Sequence, residues 1–338
     1  MTALSTAHTP TSRPPARRTA RPGVRPGVRL LLLLLGALGA IAAYYLIDSG
    51  GNLDFVLAYR TRKVAALVLV GCAVAVSTVL FHTITTNRIL TPSIMGFDSL
   101  FVLLQTAGIF FLGVVGVNAL GPVAQFGINT VVMTGLSVAL FTTLLTRMGR
   151  SVHLLVLIGI VAGTLLRSIA ALLQRIMEPN AFLVLQNRLF ASFTSVQPSL
   201  LVVAAVLITG TCVVVWRARH ALDVLALGPD VATGLGVDHR RALLRVLIAV
   251  SILVSISTAL VGPITFFGLL VANLAYLVVG SHRHAHTLVG AGLLAIITLV
   301  GGQAVLEHVF DQGTVLSVII EFVGGIAFIA LLLGGRRR

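Results

Sequence analysis

Apolar runs, each close to the length a helix needs to cross a bilayer, dominate the order of hydrophobic and polar positions in this chain. They fall at roughly 30–47, 64–82, 97–117, 126–146, 152–173, 198–216, 243–261, 265–280, 287–306 and 315–333, with short polar connections between them. In lipid every backbone N–H and C=O must be satisfied within the protein, so runs of this length predict helices. The expectation is an all-α integral membrane protein of ten transmembrane helices. The eighth run is short and follows Gly262 and Pro263. It reads either as a full span or as a half-length, re-entrant helix lining a cavity.

Composition supports lipid as the solvent: 57% of the 338 residues are hydrophobic, 10% are charged, and mean hydropathy is +1.04. The formal charge of +14 does not point to nucleic acid, because the basic residues form short clusters between apolar runs without interleaved aromatics. It reads as topology. With both termini cytoplasmic, the cytoplasmic connections hold eighteen Lys and Arg residues and the outer ones five, among them Arg60, Arg62, Lys63, Arg175 and Arg188. Residues 1–29, rich in Pro, Arg, Thr and Ala, predict a disordered basic cytoplasmic tail. Leu30 to Leu35 after basic residues has the look of a signal peptide, but no small-residue cleavage site follows, so the first span is expected to stay uncleaved. Residues 30–338 then form a single transmembrane domain, since the longest connections, 174–199 and 217–242, are too short to hold a core. Cys72 and Cys212 lie inside apolar runs and behave as small hydrophobes.

The motifs of several enzymes are missing. Lys63 is the single lysine, and no Gly-x-x-x-x-Gly-Lys-Ser/Thr loop exists to cradle nucleotide phosphates; neither a His-Glu-x-x-His helix nor a Gly-x-Ser-x-Gly elbow occurs. Transport without bond chemistry is the default, with no cofactor bound by this chain. Polar residues within the runs are costly unless paired or hydrated, which singles out Asp98, Arg167, Asn273, Gln303 and Glu321. Asp98 suits a helix cap. Arg167 pairs with Glu321 or reaches water, and Asn273 and Gln303 glue helices or line a path. His282, His284 and His286 alternate in a short connection without Cys or carboxylate, so no metal site is expected. Pro92 with Gly96, and Pro263 with Gly268, interrupt helices in the two halves of the chain. Gly262, Pro263, Gly268 and Asn273 are the candidate pathway residues.

Two of these stretches carry a resemblance. Asn87-Arg-Ile-Leu-Thr-Pro-Ser-Ile-Met-Gly-Phe-Asp-Ser-Leu100 is similar to the loop and helix start after the second span of iron-siderophore and cobalamin importer permeases (FecCD-like). Leu260-Val-Gly-Pro-Ile-Thr-Phe-Phe-Gly-Leu-Leu-Val-Ala-Asn273 resembles the Gly-Pro-Ile-x-Phe-x-Gly-Leu run of the same family. The variants present are most like the catecholate ferric-siderophore branch. The resemblance implies the type II ABC importer permease architecture, with a second permease (a copy or a paralogue), a cytoplasmic ABC ATPase dimer that uses the ATP, and an extracytoplasmic substrate-binding protein that delivers an iron chelate. It also implies an ATPase-coupling loop within 223–245, where Gly228, Ala232 and Gly236 recur at a spacing of four and Asp230 complements a helix dipole. Arg60 and Lys63, with Arg62 as an extra neighbour, match the family's binding-protein docking positions. One basic docking residue near the outer end of the ninth span is replaced here by Leu306-Glu-His-Val-Phe310. A cobalamin or haem importer permease and an ion-driven secondary transporter are the alternatives.

Overall fold

The computed structural model describes residues 25–46, 53–147, 152–194, 196–309 and 316–334. Among these residues every regular element is helical. Helix α1 (Pro26–Leu46) is followed by α2 (Leu53–Thr85), a short 3-10 turn (Pro92–Met95), α3 (Phe97–Ala119), α4 (Gly121–Arg147) and α5 (Val152–Arg175). A small helix α6 (Pro179–Leu189) precedes α7 (Pro198–Arg217), and two more, α8 (Arg219–Leu225) and α9 (Pro229–Gly234), precede α10 (His239–Val261). The chain closes with α11 (Phe267–Val279), α12 (His284–Val309) and α13 (Leu316–Gly334).

Eight of these helices, α1 to α5, α7, α10 and α12, are long and apolar enough to cross a membrane. They coincide with eight of the ten predicted runs. At the other two positions stand α11 and α13, whose apolar stretches Phe267–Val279 and Leu316–Ile329 are shorter. The 13 residues of α11 reach about 20 Å at 1.5 Å per residue, well short of a hydrocarbon core of about 30 Å.

Side-chain contacts fix which helix ends lie together. At the face where α1 begins, Arg29 donates to the carbonyls of Val278 (3.1 Å) and Val279 (3.3 Å), capping the end of α11. There too, the Arg88 guanidinium lies over the Tyr276 ring. Arg29 was expected in the tail; instead α1 starts at Pro26, a residue whose fixed φ and missing N–H suit a first turn. Residues 1–24 of the predicted tail lie outside the described residues. At the opposite face Tyr44 of α1 donates to Glu307 of α12 (3.1 Å).

Helices α2 and α10 form the middle of the bundle, with Leu67, Leu80, Leu247 and Leu253 fully buried. Small residues set the closest approaches. Gly96, just before α3, sits so near α5 that a Cβ on it would come 2.7 Å from Gly163 Cα. Its φ of +98° is a left-handed value that glycine adopts without penalty.

Candidate functional site

The two motif segments, joined by bonds that span 167 and 185 residues, meet at one junction. Helix α10 ends as the Gly262 amide donates to Thr258 (2.8 Å), and Gly262 takes a φ of +101°. A side chain here would press on Ala191 Cα at 3.0 Å, and the Ser192 amide donates to Val261 (2.8 Å), so the turn is seated on the segment after α6. Beyond Pro263, Thr265 donates to Asp98 at 3.1 Å. One turn further, Gly268 lies against α2 so closely that any Cβ would run into the Thr78 hydroxyl. Asn273 donates to the carbonyls of Arg88 (3.0 Å) and Leu269 (2.9 Å). Thus Thr265 and Asn273 tie the second motif to the first at two levels. Gly262 and Gly268 are buried and Pro263 and Asn273 half-buried. Within the chain these residues pack helices together rather than facing open space.

Exposed charge marks a different surface. Arg167 in α5 and Glu321 in α13 are both exposed, deep within apolar helices. Both lie close enough to Asp98 to act on it electrostatically, and Glu321 is within hydrogen-bonding reach of Thr265. The alternative of an Arg167–Glu321 pair is not realised: neither residue joins the ion pairs of the described residues, which include Lys63–Glu307, Arg241–Asp238 and His284–Asp223. Two exposed charges beside one apolar surface cannot face hydrocarbon cheaply, so the α5 and α13 face is one that protein or water covers.

At the face opposite the start of α1, the three expected docking residues separate. Arg62 is exposed. Arg60 donates to the Tyr44 (3.2 Å) and Tyr45 (2.9 Å) carbonyls, capping α1 as a cation at a helix C-terminus does. Lys63 is buried, its side chain 2% exposed, and is ion-paired with Glu307. Glu307 also accepts from Gln303 (2.7 Å) and Tyr44. Within the chain Lys63 is thus held against Glu307 rather than standing free, since an unpaired ammonium is costly to bury, and the carboxylate standing where the family resemblance led one to expect a basic residue is its partner. Nearby, Arg188 of α6 bonds Gln125 (3.0 Å) and Asn118 (2.5 Å), and its burial lowers its pKa.

The 223–245 stretch folds as α8, α9 and the start of α10. Gly228 (φ +97°) and Gly236 (φ +82°) are turn residues at either end of α9, while Ala232 is fully buried against the chain itself. The predicted small-residue face is therefore corrected, because one of its members points inward and two lie outside the helix. Asp230 does sit, exposed, in the first turn of α9. What projects outward is apolar: Leu227, Val231 and Leu235 are 59%, 49% and 61% exposed. Their spacing of four was legible in the sequence, though masked by the glycines between them. Behind them Asp223 of α8 accepts from the His284 amide (2.8 Å) and lies 2.6 Å from its ring, whose other nitrogen meets Thr83 of α2 (2.7 Å). Partial burial raises the Asp223 pKa, but the His284 amide, ring and charge outweigh it and hold the carboxyl below its ordinary range. His286 contacts Ser281 (3.1 Å), and among the described residues no group of three or more His, Cys, Asp or Glu converges.

The model of the FecCD transport family matches residues 28–334. The chain belongs to that family. Among FecCD relatives, the petrobactin import system permease protein YclO of Bacillus subtilis is 46% identical over 301 residues, covering 89% of this chain and 96% of the relative. The petrobactin import system permease protein FatC of Bacillus anthracis is 34% identical over 314 residues, covering 91% and 89%. A solved inward-facing structure assigned to the metal-chelate type of ABC transporter superimposes with a TM-score of 0.74 at 23% identity, covering 91% of this chain and 99% of that one. The fold of this FecCD chain is thus shared with an ABC transporter, and its apolar helices make it a multi-pass protein of the bacterial cytoplasmic membrane.

Proposed function

We propose that this chain is the permease subunit of an ATP-driven importer that moves a ferric siderophore of the catecholate type across the cytoplasmic membrane. The observation that carries the cargo is the 46% identity, nearly end to end, with a petrobactin import permease. In this reading the chain crosses ten times with both termini cytoplasmic. The eight long helices are joined by α13 and by α11, whose short helix is completed at membrane depth by the 262–266 turn. The face carrying Arg29, Arg88 and α9 is then cytoplasmic, and that carrying Arg62, Lys63 and α6 is outer, a placement that the distribution of Arg supports.

The exposed Leu227, Val231 and Leu235 form the contact with a cytoplasmic ABC ATPase dimer, which binds and hydrolyses the ATP; this chain performs no bond chemistry. The surface of α5 and α13 around Arg167 and Glu321 meets a second permease, a copy or a paralogue, and the chelate passes between the two. An extracytoplasmic binding protein delivers it to the side bearing Arg62. Closure of the ATPases moves the α8 and α9 segment, and the bonds from Asp223 to His284 and from His284 to Thr83 carry that movement to α12 and α2.

Uptake of radioactive iron as ferric petrobactin, in cells lacking their own permease, tests this reading. Val231→Asp with Leu235→Asp is expected to abolish uptake while the protein still inserts. These are better probes than a substitution at Gly228, whose backbone only glycine adopts readily. Uptake that persists without an ATPase subunit would sink the proposal in favour of an ion-driven carrier. Rescue of cobalamin or haem uptake but not iron uptake would keep the importer and replace its cargo.

A further inference from the structure

A small cavity of about 20 Å3 lies beside the junction of the two motifs, bounded by α2, the 3-10 turn, the start of α3, α10 and the turn before α11. It has room for one occupant the size of a water molecule. Every polar side chain that lines it is a hydroxyl or a carboxylate. Ser77 and Thr78 both give their hydroxyl protons to the Val74 carbonyl (3.0 and 2.8 Å), and Ser257 gives its proton to Val254 (2.9 Å). Each then turns only oxygen lone pairs toward other partners. Thr265 and Ser93 direct their protons at Asp98, whose buried carboxylate can only accept while ionised. Ser77, Thr78, Ser257 and Asp98 are all at least 94% buried. The space therefore gathers acceptors around a negative group, and the Thr91 and Thr258 hydroxyls complete its polar lining.

We propose that this cavity binds a single dehydrated alkali-metal cation, sodium by size, held by Asp98 and the lone pairs of Ser77, Thr78 and Ser257. Hard oxygen ligands and one carboxylate suit such an ion, which needs no His or Cys. The other charged groups that act on Asp98 are Arg167 and Glu321, one of each sign, and neither forms an ion pair with it. The first turn of α3 adds a partial positive charge behind Asp98, which weakens the site and favours a monovalent over a divalent ion. Gly268 keeps the site intact, since a side chain there would displace Thr78. Bound sodium joins α2, α3 and α10, the helices that carry or contact both motifs, whatever chelate is transported.

The test uses the full-length permease purified in detergent. Equilibrium binding of radioactive sodium is expected to saturate at one ion per chain, to be displaced by unlabelled sodium, and to be unaffected by choline. Thermal melting at fixed chloride is expected to shift upward, saturably, when N-methylglucamine is exchanged for sodium, because an ion bound by the folded state alone stabilises it. Asp98→Asn keeps the shape but removes the charge, and should lose both effects; Ser257→Ala should weaken binding several-fold. Absence of saturable binding in the unaltered protein means the cavity holds water only and overturns the proposal without recourse to any variant. Stoichiometric binding that survives Asp98→Asn overturns the assigned site.

Discussion

Replacing Lys63 by Met should damage folding of the permease before it damages recognition. Lys63 is 2% exposed and Glu307 12% exposed at the side chain, so removing the ammonium strands a carboxylate where water reaches it poorly. Breaking a buried pair from one side costs about 3–5 kcal/mol. Here Gln303 and Tyr44 still donate to Glu307, and retention of two of its three donors brings the expected loss to about 2–3 kcal/mol. Adding Glu307→Gln removes the stranded charge and keeps both neutral hydrogen bonds, so the double variant should recover to within about 1 kcal/mol of the parent. Glu307→Gln alone strands the Lys63 ammonium and should cost at least as much as Lys63→Met, so a double-mutant cycle on melting or chemical unfolding in detergent should give a coupling of about 3 kcal/mol or more. Association of the binding protein, measured on the same samples, should be unchanged in the double variant. A Lys63→Met protein that melts like its parent but has lost the binding protein would refute this reasoning and restore Lys63 to the docking surface.

Three further outcomes follow from the contacts. Arg62→Glu should slow association with the binding protein, most at low salt, and leave melting unchanged, whereas Arg60→Glu should lower the melting temperature by removing the cap on α1; rate measurements at two ionic strengths separate them. Gly163→Ala places a methyl group against the Gly96 backbone and should cost about 1–3 kcal/mol, with Gly96→Ala costing about 1–2 kcal/mol more for its left-handed backbone, both read by thermal melting. Because the folded pKa of Asp223 is depressed, its contribution to stability is present above its ordinary value of 3.8 and is lost as pH falls through the lower folded value. Asp223→Asn should therefore be less stable than its parent at pH 7 and equal to it in strong acid, a comparison made by melting across pH.

The spans were legible because lipid imposes a length and a polarity that no other environment demands, and eight helices lie where the apolar runs predict them. The helices α6 and α8 were not legible as helices, and α9 was expected only through the family resemblance. Each is 6 to 11 residues long, too short for periodicity to separate it from the surrounding connection, and each is stabilised by packing. The site divided along similar lines. The two motifs were found as local patterns, but the bonds that join them, Thr265 to Asp98 and Asn273 to Arg88, span 167 and 185 residues. The Lys63 pair was hidden for the same reason: its local neighbours are an outer cluster of Arg, and its partner stands 244 residues away. The coupling segment misled because glycine spacing was read as a smooth face, when positive φ values at Gly228 and Gly236 had placed both outside α9.

The seat of Gly96 on Gly163 has a mechanical consequence for any movement of α5. Two backbones in direct contact leave no side chains to shear past one another, so the contact resists sliding but permits tilting, like a bearing. Gly163 lies near the middle of α5, and its end at Arg175 is about 18 Å further along the helix axis. A tilt of about 10° about that bearing would sweep the end of α5 through roughly 3 Å while the glycines themselves scarcely moved. The helix bearing Arg167 is thus a lever whose fulcrum was set by the absence of two methyl groups.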